Sequence, residues 1–452
     1  MHRPRPRTIA IGALVVLLAS APFIPRGDDD ESLLPSGDGK YGGLGTSATA
    51  GVSKVTPQMQ AEIDRVVNAG RALGRTSGKQ TPDQLADTLV RCAEFEGQRY
   101  CLGTGWTEDT EQQVQARMAT SARAVAARRG PGVHNTGDLD ARDALAQMAR
   151  LSPAARAAAD RAELTMAARS VAKVWLLRHE IEGVPLPANF LADHPEARAV
   201  ATAPAARATK TPPPNTASPT KAPTPTKSPT KGPTKSPTKS PTKTPSKTPT
   251  APASSEAPVK TQADYPERQA ILNPTRVAEQ TRTYWCGPTS MQMIAWGWAG
   301  SSLSQDHWAQ RLGTTTSGTS IYDMVRVVNE STGWDGKDHA GPYIVLDIGK
   351  YSFAQWMLLM MRHIHDYTAP VVLHPILLKQ FYPYLDDDAS GHYQVGRGYS
   401  KRGTKPDLLG YFEPWNQHRF DPSEPNISRV QWRNAYKSYR GNQAHYAHNV
   451  GV

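Results

Sequence analysis

Apolar positions along the chain are periodic in two stretches and nearly absent from a third that separates them. In the first stretch, Leu85, Leu89 and Cys92 recur at helical spacing behind Thr81-Pro82, a capping hydroxyl followed by a proline that suits the first helical turn. Thr107 stands before the acidic pair Glu108-Asp109, and Ser152-Pro153 opens an Ala- and Arg-rich segment running toward Glu182. These signals predict an all-α helical bundle over residues 53–195. In the second stretch, Met291, Ile294, Ala295 and Trp298 repeat at offsets of three, four and seven, so a helix starts at Cys286 and buries one stripe. Thr319-Ser320 caps another helix carrying Ile321, Met324, Val325 and Val328 on one face. Residues 343–348 read as a strand, 352–366 as a helix and 370–374 as a strand. Trp356, Leu359 and Met360 are core positions of that helix.

Further on, GHYQVGRGYSKRGTKPDLLGYFEPWN reads as two strands joined by a basic turn. Alternation puts His392, Gln394, Gly396 and Gly398 on one side and Tyr393, Val395 and Tyr399 on the other, with the glycines leaving room where His392 points. Leu408 to Phe412 form the second strand, and Pro414 ends its pairing. Helices and antiparallel strands in this order make residues 264–452 an α+β unit.

The aperiodic stretch, residues 200–260, changes the picture of the whole chain. It repeats Pro-Thr-Lys and Ser-Pro-Thr-Lys, which leaves little to bury and favours extended polyproline geometry, so a disordered linker is expected. From residue 201 to 260 it holds ten Lys or Arg against the single Glu256, and so carries nine of the eleven net positive charges. Evenly spaced lysines suit anionic wall polymers or a membrane surface. Nucleic acid is the poorer partner, because no aromatic residue interleaves with them to stack on bases. A chain of 452 residues exceeds what one core usually organises, in keeping with two folded parts around a spacer.

At the N-terminus, Arg3, Arg5 and Arg7 precede the apolar run Ile9 to Ala21, and Ala19-Ser20-Ala21 resembles a small-residue cleavage site. Residues 1–25 are therefore expected to be an export signal, or an uncleaved anchor given Pro22, which places the protein in a secreted, cell-surface or wall-associated setting. In such a compartment three cysteines become informative. Cys92 and Cys101 lie close together and are expected to form a disulfide, which leaves Cys286 unpaired.

An unpaired thiol at a helix start is a candidate nucleophile, since unbonded N–H groups and the helix dipole favour the thiolate. Gly287 lets a substrate backbone approach and Pro288 suits the first turn. His392 is the candidate base, and Glu413 is placed to orient its imidazole. Other groups carry less. His363-Ile364-His365-Asp366 lacks the offset of four that helical zinc sites use, His374 ends an apolar strand and reads as structural, and Asp386 to Asp388 lack the spacing of a calcium loop. No phosphate-cradling glycine loop is present, and neither cofactor nor metal is expected.

Gln280, the run Cys286-Gly287-Pro288-Thr289, Gly391-His392-Tyr393 and Glu413-Pro414-Trp415 together resemble the bacteriocin-processing, double-glycine-leader cysteine peptidase-like family, of papain-like fold. The resemblance covers residues 264–452 only. It implies that Cys286 attacks a carbonyl carbon, that Gln280 and the Cys286 amide bind the oxyanion, and that His392 protonates the leaving amine. It also implies that the Trp415 indole shields the histidine contact from water. The family's usual third member is Asp before Pro; here Glu413 fills that place, with Asn416 and Asp421 as alternatives. The expected function is an exported cysteine peptidase, working as a monomer on a peptide or peptidoglycan-type substrate through an acyl-enzyme. Alternatives are a wall amide hydrolase or acyl transferase with the same thiol, or an inactive papain-like binding module. The role of 53–195 is not readable; its position before a peptidase-like part suggests a removable inhibitory segment, against which the long spacer argues.

Overall fold

A computed structural model describes residues 53–72, 80–128, 135–197, 259–336, 339–415 and 417–452. The expected export segment at 1–25 and the linker up to residue 258 lie outside the described residues. Among the described residues no helix is long and apolar enough to cross a membrane.

The N-terminal part starts with helix α1 (Pro57–Ala72), which buries Met59, Ile63, Val66 and Val67 along one stripe. Helix α2 (Pro82–Leu89) begins as expected, with Thr81 accepting from the Gln84 amide and Gln84 returning to the Thr81 amide. The stripe drawn from Leu85 through Cys92 does not continue. Strand β1 (Cys92–Phe95) starts there and turns through Glu96 and Gly97 into β2 (Gln98–Cys101), with β3 (Gly105–Trp106) following. Both turn residues have positive φ, 51° and 79°, which is the two-residue turn whose twist suits a hairpin. The all-α expectation for 53–195 is therefore corrected by a β-hairpin. Cys92 and Cys101 face each other across that hairpin and form the expected disulfide. Helices α3 (Glu111–Arg128), α4 (Ala141–Arg150), α5 (Pro153–Arg169, capped by Ser152) and α6 (Val171–Leu177) complete this part. The acidic turn after Thr107 precedes α3 instead of opening it: the Thr107 hydroxyl accepts from the Asp109 amide and α3 begins at Glu111.

The C-terminal part runs β4 (Arg268–Ala270), α7 (Cys286–Ala299), α8 (Gln305–Leu312), α9 (Ile321–Ser331), β5 (Val345–Asp347), α10 (Phe353–Met361), β6 (Val371–Leu373), β7 (Gln394–Ser400), β8 (Leu408–Phe412), β9 (Val430–Asn434), α11 (Ala435–Ala444) and β10 (Asn449–Gly451). The helix expected over 352–366 is α10 followed by a wider π-type turn at 362–366.

All ten strands belong to one sheet, in the order β1-β2-β3-β5-β10-β6-β7-β8-β9, with β4 added beside β7. Among the named strands of the described residues only β3 and β5 pair in parallel, Trp106 opposite Leu346, and this pair stitches the N-terminal hairpin to the C-terminal strands. Polar bonds reinforce the seam: Arg117 and the Thr107 hydroxyl both reach Asp347 Oδ2, at 2.7 and 2.8 Å, and the Asn449 amide donates to the Thr104 carbonyl at 2.8 Å.

Alternation along the strands then builds a core on each face. Val372, Val395 and Phe412 join Met291 and Ile294 of α7 and Val325 and Val328 of α9. Val371, Leu373, Leu409 and Tyr411 join Trp356, Leu359 and Met360 of α10, which are core as expected. Burying each such large apolar side chain contributes roughly 1.5–3 kcal/mol. In β7 the pairing with β8 slips between Gly396 and Gly398, a bulge that breaks the strict alternation read from the sequence. The room expected beside those glycines is filled: an added Cβ would meet Val371 at 3.1 Å from Gly396 and the Trp432 ring at 2.8 Å from Gly398.

Candidate active site

Helix α7 brings Cys286 to its first position, after Trp285, as the sequence predicts. The helix packs on the sheet, and the Ser290 hydroxyl donates to the Tyr393 carbonyl at 3.4 Å. The Cys286 thiol thereby rests beside the Tyr393 amide, one residue along the chain from His392. Gly287 serves a different purpose from the one expected. A Cβ there would come within 2.6 Å of the Thr319 hydroxyl, so it admits the start of α9.

His392 enters just before β7, its own amide donating to the Pro375 carbonyl at 2.9 Å. Because β8 runs antiparallel beside β7, Glu413 lies against it, and His392 Nε2 meets Glu413 Oε1 at 2.7 Å. With Nε2 donating to the carboxylate, the neutral imidazole presents an unprotonated Nδ1, and that buried atom has no protein partner. The side chain of Glu413 is longer than the family's Asp, and it is held by three more donors. The Trp415 amide reaches Oε1 at 2.9 Å, and the Tyr384 hydroxyl and Gln394 Nε2 reach Oε2 at 2.6 and 2.8 Å. Trp415 stands edge-on to His392, ring centres 6.5 Å apart, and is itself fully buried. Of the alternative third members, Asp421 accepts from the Ser423 amide and hydroxyl, and Asn416 lies outside the described residues.

Gln280 is tied to the same turn, its amide donating to the Pro414 carbonyl at 2.8 Å. Its side-chain nitrogen shares its two hydrogens among the carbonyls of Thr283 at 2.6 Å, Arg282 at 3.0 Å and, most weakly, Thr136 at 3.3 Å. That last acceptor belongs to the N-terminal part. Cys286, His392, Glu413 and Gln280 are all 0% exposed.

The electrostatics follow from this enclosure. Burial pushes the Cys286 thiol well above its ordinary range, and the carboxylates of Asp138 and Glu413 add to the effect. The Tyr393 and Gly287 amides oppose it. The depressed thiol expected at a helix start is therefore not realised in this enclosed state. Burial also acts on Glu413, but the positive charge that His392 carries when protonated and its hydrogen bond, with the Tyr384 and Trp415 donors, outweigh it and hold the carboxyl below its ordinary value.

A second buried cluster lies nearby. Asp138 places Oδ1 at 2.7 Å from His374 Nε2 and at 3.2 Å from the Tyr393 hydroxyl, and Oδ2 at 2.8 Å from His445 Nε2. His374 is a satisfied buried histidine, as expected, since its Nδ1 meets Asn449 Oδ1 at 2.7 Å. His445 Nδ1 accepts from the Ala447 amide at 3.1 Å, so its proton sits on Nε2, toward Asp138. That tautomer and the direct contacts describe a hydrogen-bonded triad. In the turn at 362–366, His363 Nδ1 bonds the Ala369 carbonyl while His365 pairs with Asp366, so the two histidines share no site. Asp386 and Asp387, both exposed, come together with the buried Glu424, and Ser423 donates to Asp386.

Sequence reasoning missed Thr136, Gly137, Asp138, His445, Tyr384 and the bond from Gln394. The string Asn135 to Asp140 carries one legible signal, Asp140 as the cap of α4, and nothing that points across 140 or more residues to the thiol.

Cys286 at the tip of α7 and the His392–Glu413 pair beside β7 and β8 are the residue types that cysteine peptidases use. Residues 261–444 match the model of the Peptidase_C39 like family, so this part of the chain is cysteine peptidase-like. Comparison with curated proteins and with solved structures found no match.

Proposed function

We propose that the C-terminal part is a thiol hydrolase that cleaves peptide or amide bonds through Cys286, His392 and Glu413. The observation that carries this reading is the bare, buried Nδ1 of His392, left without a protein partner while Nε2 is committed to Glu413. In the proposed cycle His392 Nδ1 takes the thiol proton and Cys286 adds to the substrate carbonyl. His392 returns the proton to the departing amine, and the acyl-enzyme is resolved by water or by a second amine. Gln280 and the Cys286 amide, at the start of α7, would hold the developing oxyanion. Glu413 fixes the tautomer and stabilises the imidazolium, with Tyr384, Gln394 and Trp415 keeping its carboxylate in place.

Peptide libraries and wall fragments offered to the full chain test this reading and separate peptidase from wall amidase. Turnover lost in both Cys286→Ala and His392→Ala is the expected result. Turnover that survives Cys286→Ala rejects the thiol mechanism, and tight binding without turnover by any form of the protein favours the binding-module reading. Export and attachment through the lysine-rich segment accompany this proposal: sequence features alone support them, and fractionation of cells producing the full chain tests them.

A further inference from the structure

The segment Asn135–Leu139 reaches from the N-terminal part into the thiol site. Its Thr136 carbonyl accepts from Gln280 Nε2, the donor assigned above to the oxyanion. The Thr136 amide donates to Ser390 Oγ at 2.9 Å and its hydroxyl to the Gly391 carbonyl at 2.6 Å, immediately before His392. Gly137 has φ +116°, and a Cβ there would lie 2.6 Å from the Tyr284 carbonyl and 2.9 Å from the Cys286 amide nitrogen. Only glycine fits that approach, because the obstacles are backbone atoms that cannot rotate away. The strand then pairs with Thr319, whose amide donates to the Gly137 carbonyl at 2.8 Å and whose carbonyl accepts from the Leu139 amide at 3.0 Å. Asp138 locks it, with both carboxylate oxygens held by His374, His445 and Tyr393.

These contacts resemble those of a peptide bound in a groove: a backbone bridge to Thr319, a carbonyl on an amide donor, and one side chain in a polar pocket. Beside the segment lies an open cleft of about 850 Å³, bordered by Asn135, Asp138, Ser390, Gly391 and His445 but not by Cys286 or Gln280. Two residues of the strap, Asn135 and Asp138, thus border a cleft that the fully buried thiol does not line.

We propose that Asn135–Leu139 occupies the substrate groove of this site as its own intramolecular inhibitor, and that the His374–His445–Tyr393 pocket is the subsite of that groove for an acidic side chain. The proposal rests on the thiol-hydrolase reading above for its biological meaning, though the occupancy itself does not. No substrate meets Cys286 until the strap leaves, and a peptide entering in its place is expected to carry a carboxylate at the position of Asp138, two residues after the carbonyl at Gln280.

The test is the rate at which iodoacetamide alkylates Cys286 in the intact chain, read by mass, since the other two cysteines are disulfide-bonded. Alkylation in the wild type is expected to be far slower than for a cysteine in an unstructured peptide. Gly137→Ala, which inserts a Cβ against backbone, and Asp138→Asn, which keeps shape but removes the charge, are each expected to raise it about tenfold or more by shifting the strap toward release. The synthetic peptide Asn-Thr-Gly-Asp-Leu should protect the thiol of either variant, and the same peptide with Ala for Asp should not. Wild-type alkylation at the rate of a free peptide thiol overturns the proposal, even if a variant fails to fold. Equal protection by both peptides overturns the acidic subsite. Wild-type turnover as fast as that of the variants rejects the strap and leaves the hydrolase reading standing. Fast alkylation of the variants with no turnover of any substrate does the reverse.

Discussion

His392 Nε2 and Glu413 Oε1 are 2.7 Å apart, and both side chains are fully buried. The carboxylate has four donors around its two oxygens, which makes it a fixed acceptor rather than a mobile one. That arrangement commits one histidine nitrogen to the carboxylate and leaves the other without a protein partner.

Replacing Glu413 therefore separates activity from stability. In Glu413→Gln the shape is kept, and Tyr384 and Gln394 can turn to accept from the new amide, so the melting temperature should change little. Turnover should fall by about 10²- to 10⁴-fold as the imidazolium loses its counter-charge. In Glu413→Ala the same loss of turnover should come with a drop in stability of about 1–3 kcal/mol for each donor left buried without an acceptor. Parallel kinetics and denaturant melts check both statements, and equal stability of the two variants would contradict them.

Gln280→Ala should lower kcat by about 10²- to 10³-fold if its amide holds the oxyanion. It should also release part of the strap's grip, because the Thr136 carbonyl loses its donor. Faster alkylation of Cys286 combined with slower turnover is the expected signature, and faster turnover would remove Gln280 from the mechanism.

Reduction of the Cys92–Cys101 disulfide, or its replacement by two serines, should destabilise the hairpin by about 2–3 kcal/mol through loss of a short cross-link. The loss should appear as a lower denaturant midpoint. It is expected to leave alkylation of Cys286 unchanged, since the disulfide and the thiol lie in different core clusters.

His194 gives a pH signature outside the site. The hydrogen bond to Glu96, 2.8 Å from Nε2, and the one to Glu196, 2.9 Å from Nδ1, raise its pKa to about 9 against the cost of burial. A folded-state value above the unfolded one of about 6.5 means that its contribution to stability is complete below about pH 6.5 and is lost as pH rises through about 9. Wild type should thus lose stability relative to His194→Asn between pH 6.5 and 9.5, in melts recorded across that range. Parallel pH curves for the two proteins would refute the assignment.

The local elements were legible where local chemistry decides them. The helix start at Cys286, the Ser320 and Ser152 caps, and the His392 strand with its partner follow from spacing, capping oxygens and turn residues. The contact of Glu413 with His392 was readable because β7 and β8 are neighbours in sequence as well as in space. The hairpin at Glu96-Gly97 was missed because Cys92 extended the apolar repeat of α2 by one more turn, and periodicity over so few residues cannot separate a helix end from a strand start.

What the sequence by itself determined is the set of groups and their immediate settings: a lone thiol at a helix tip, an imidazole beside a strand, a carboxylate on the next strand, and a cysteine pair within one short loop. Only the tertiary structure decided that β3 joins β5, that Thr136, Gly137 and Asp138 enter the thiol site, and that His374 and His445 meet on one carboxylate. Those contacts join residues more than 70 and in one case more than 300 positions apart. Such pairing is set by which strands share an edge and which faces must be buried together, and no periodicity within a single segment carries that information.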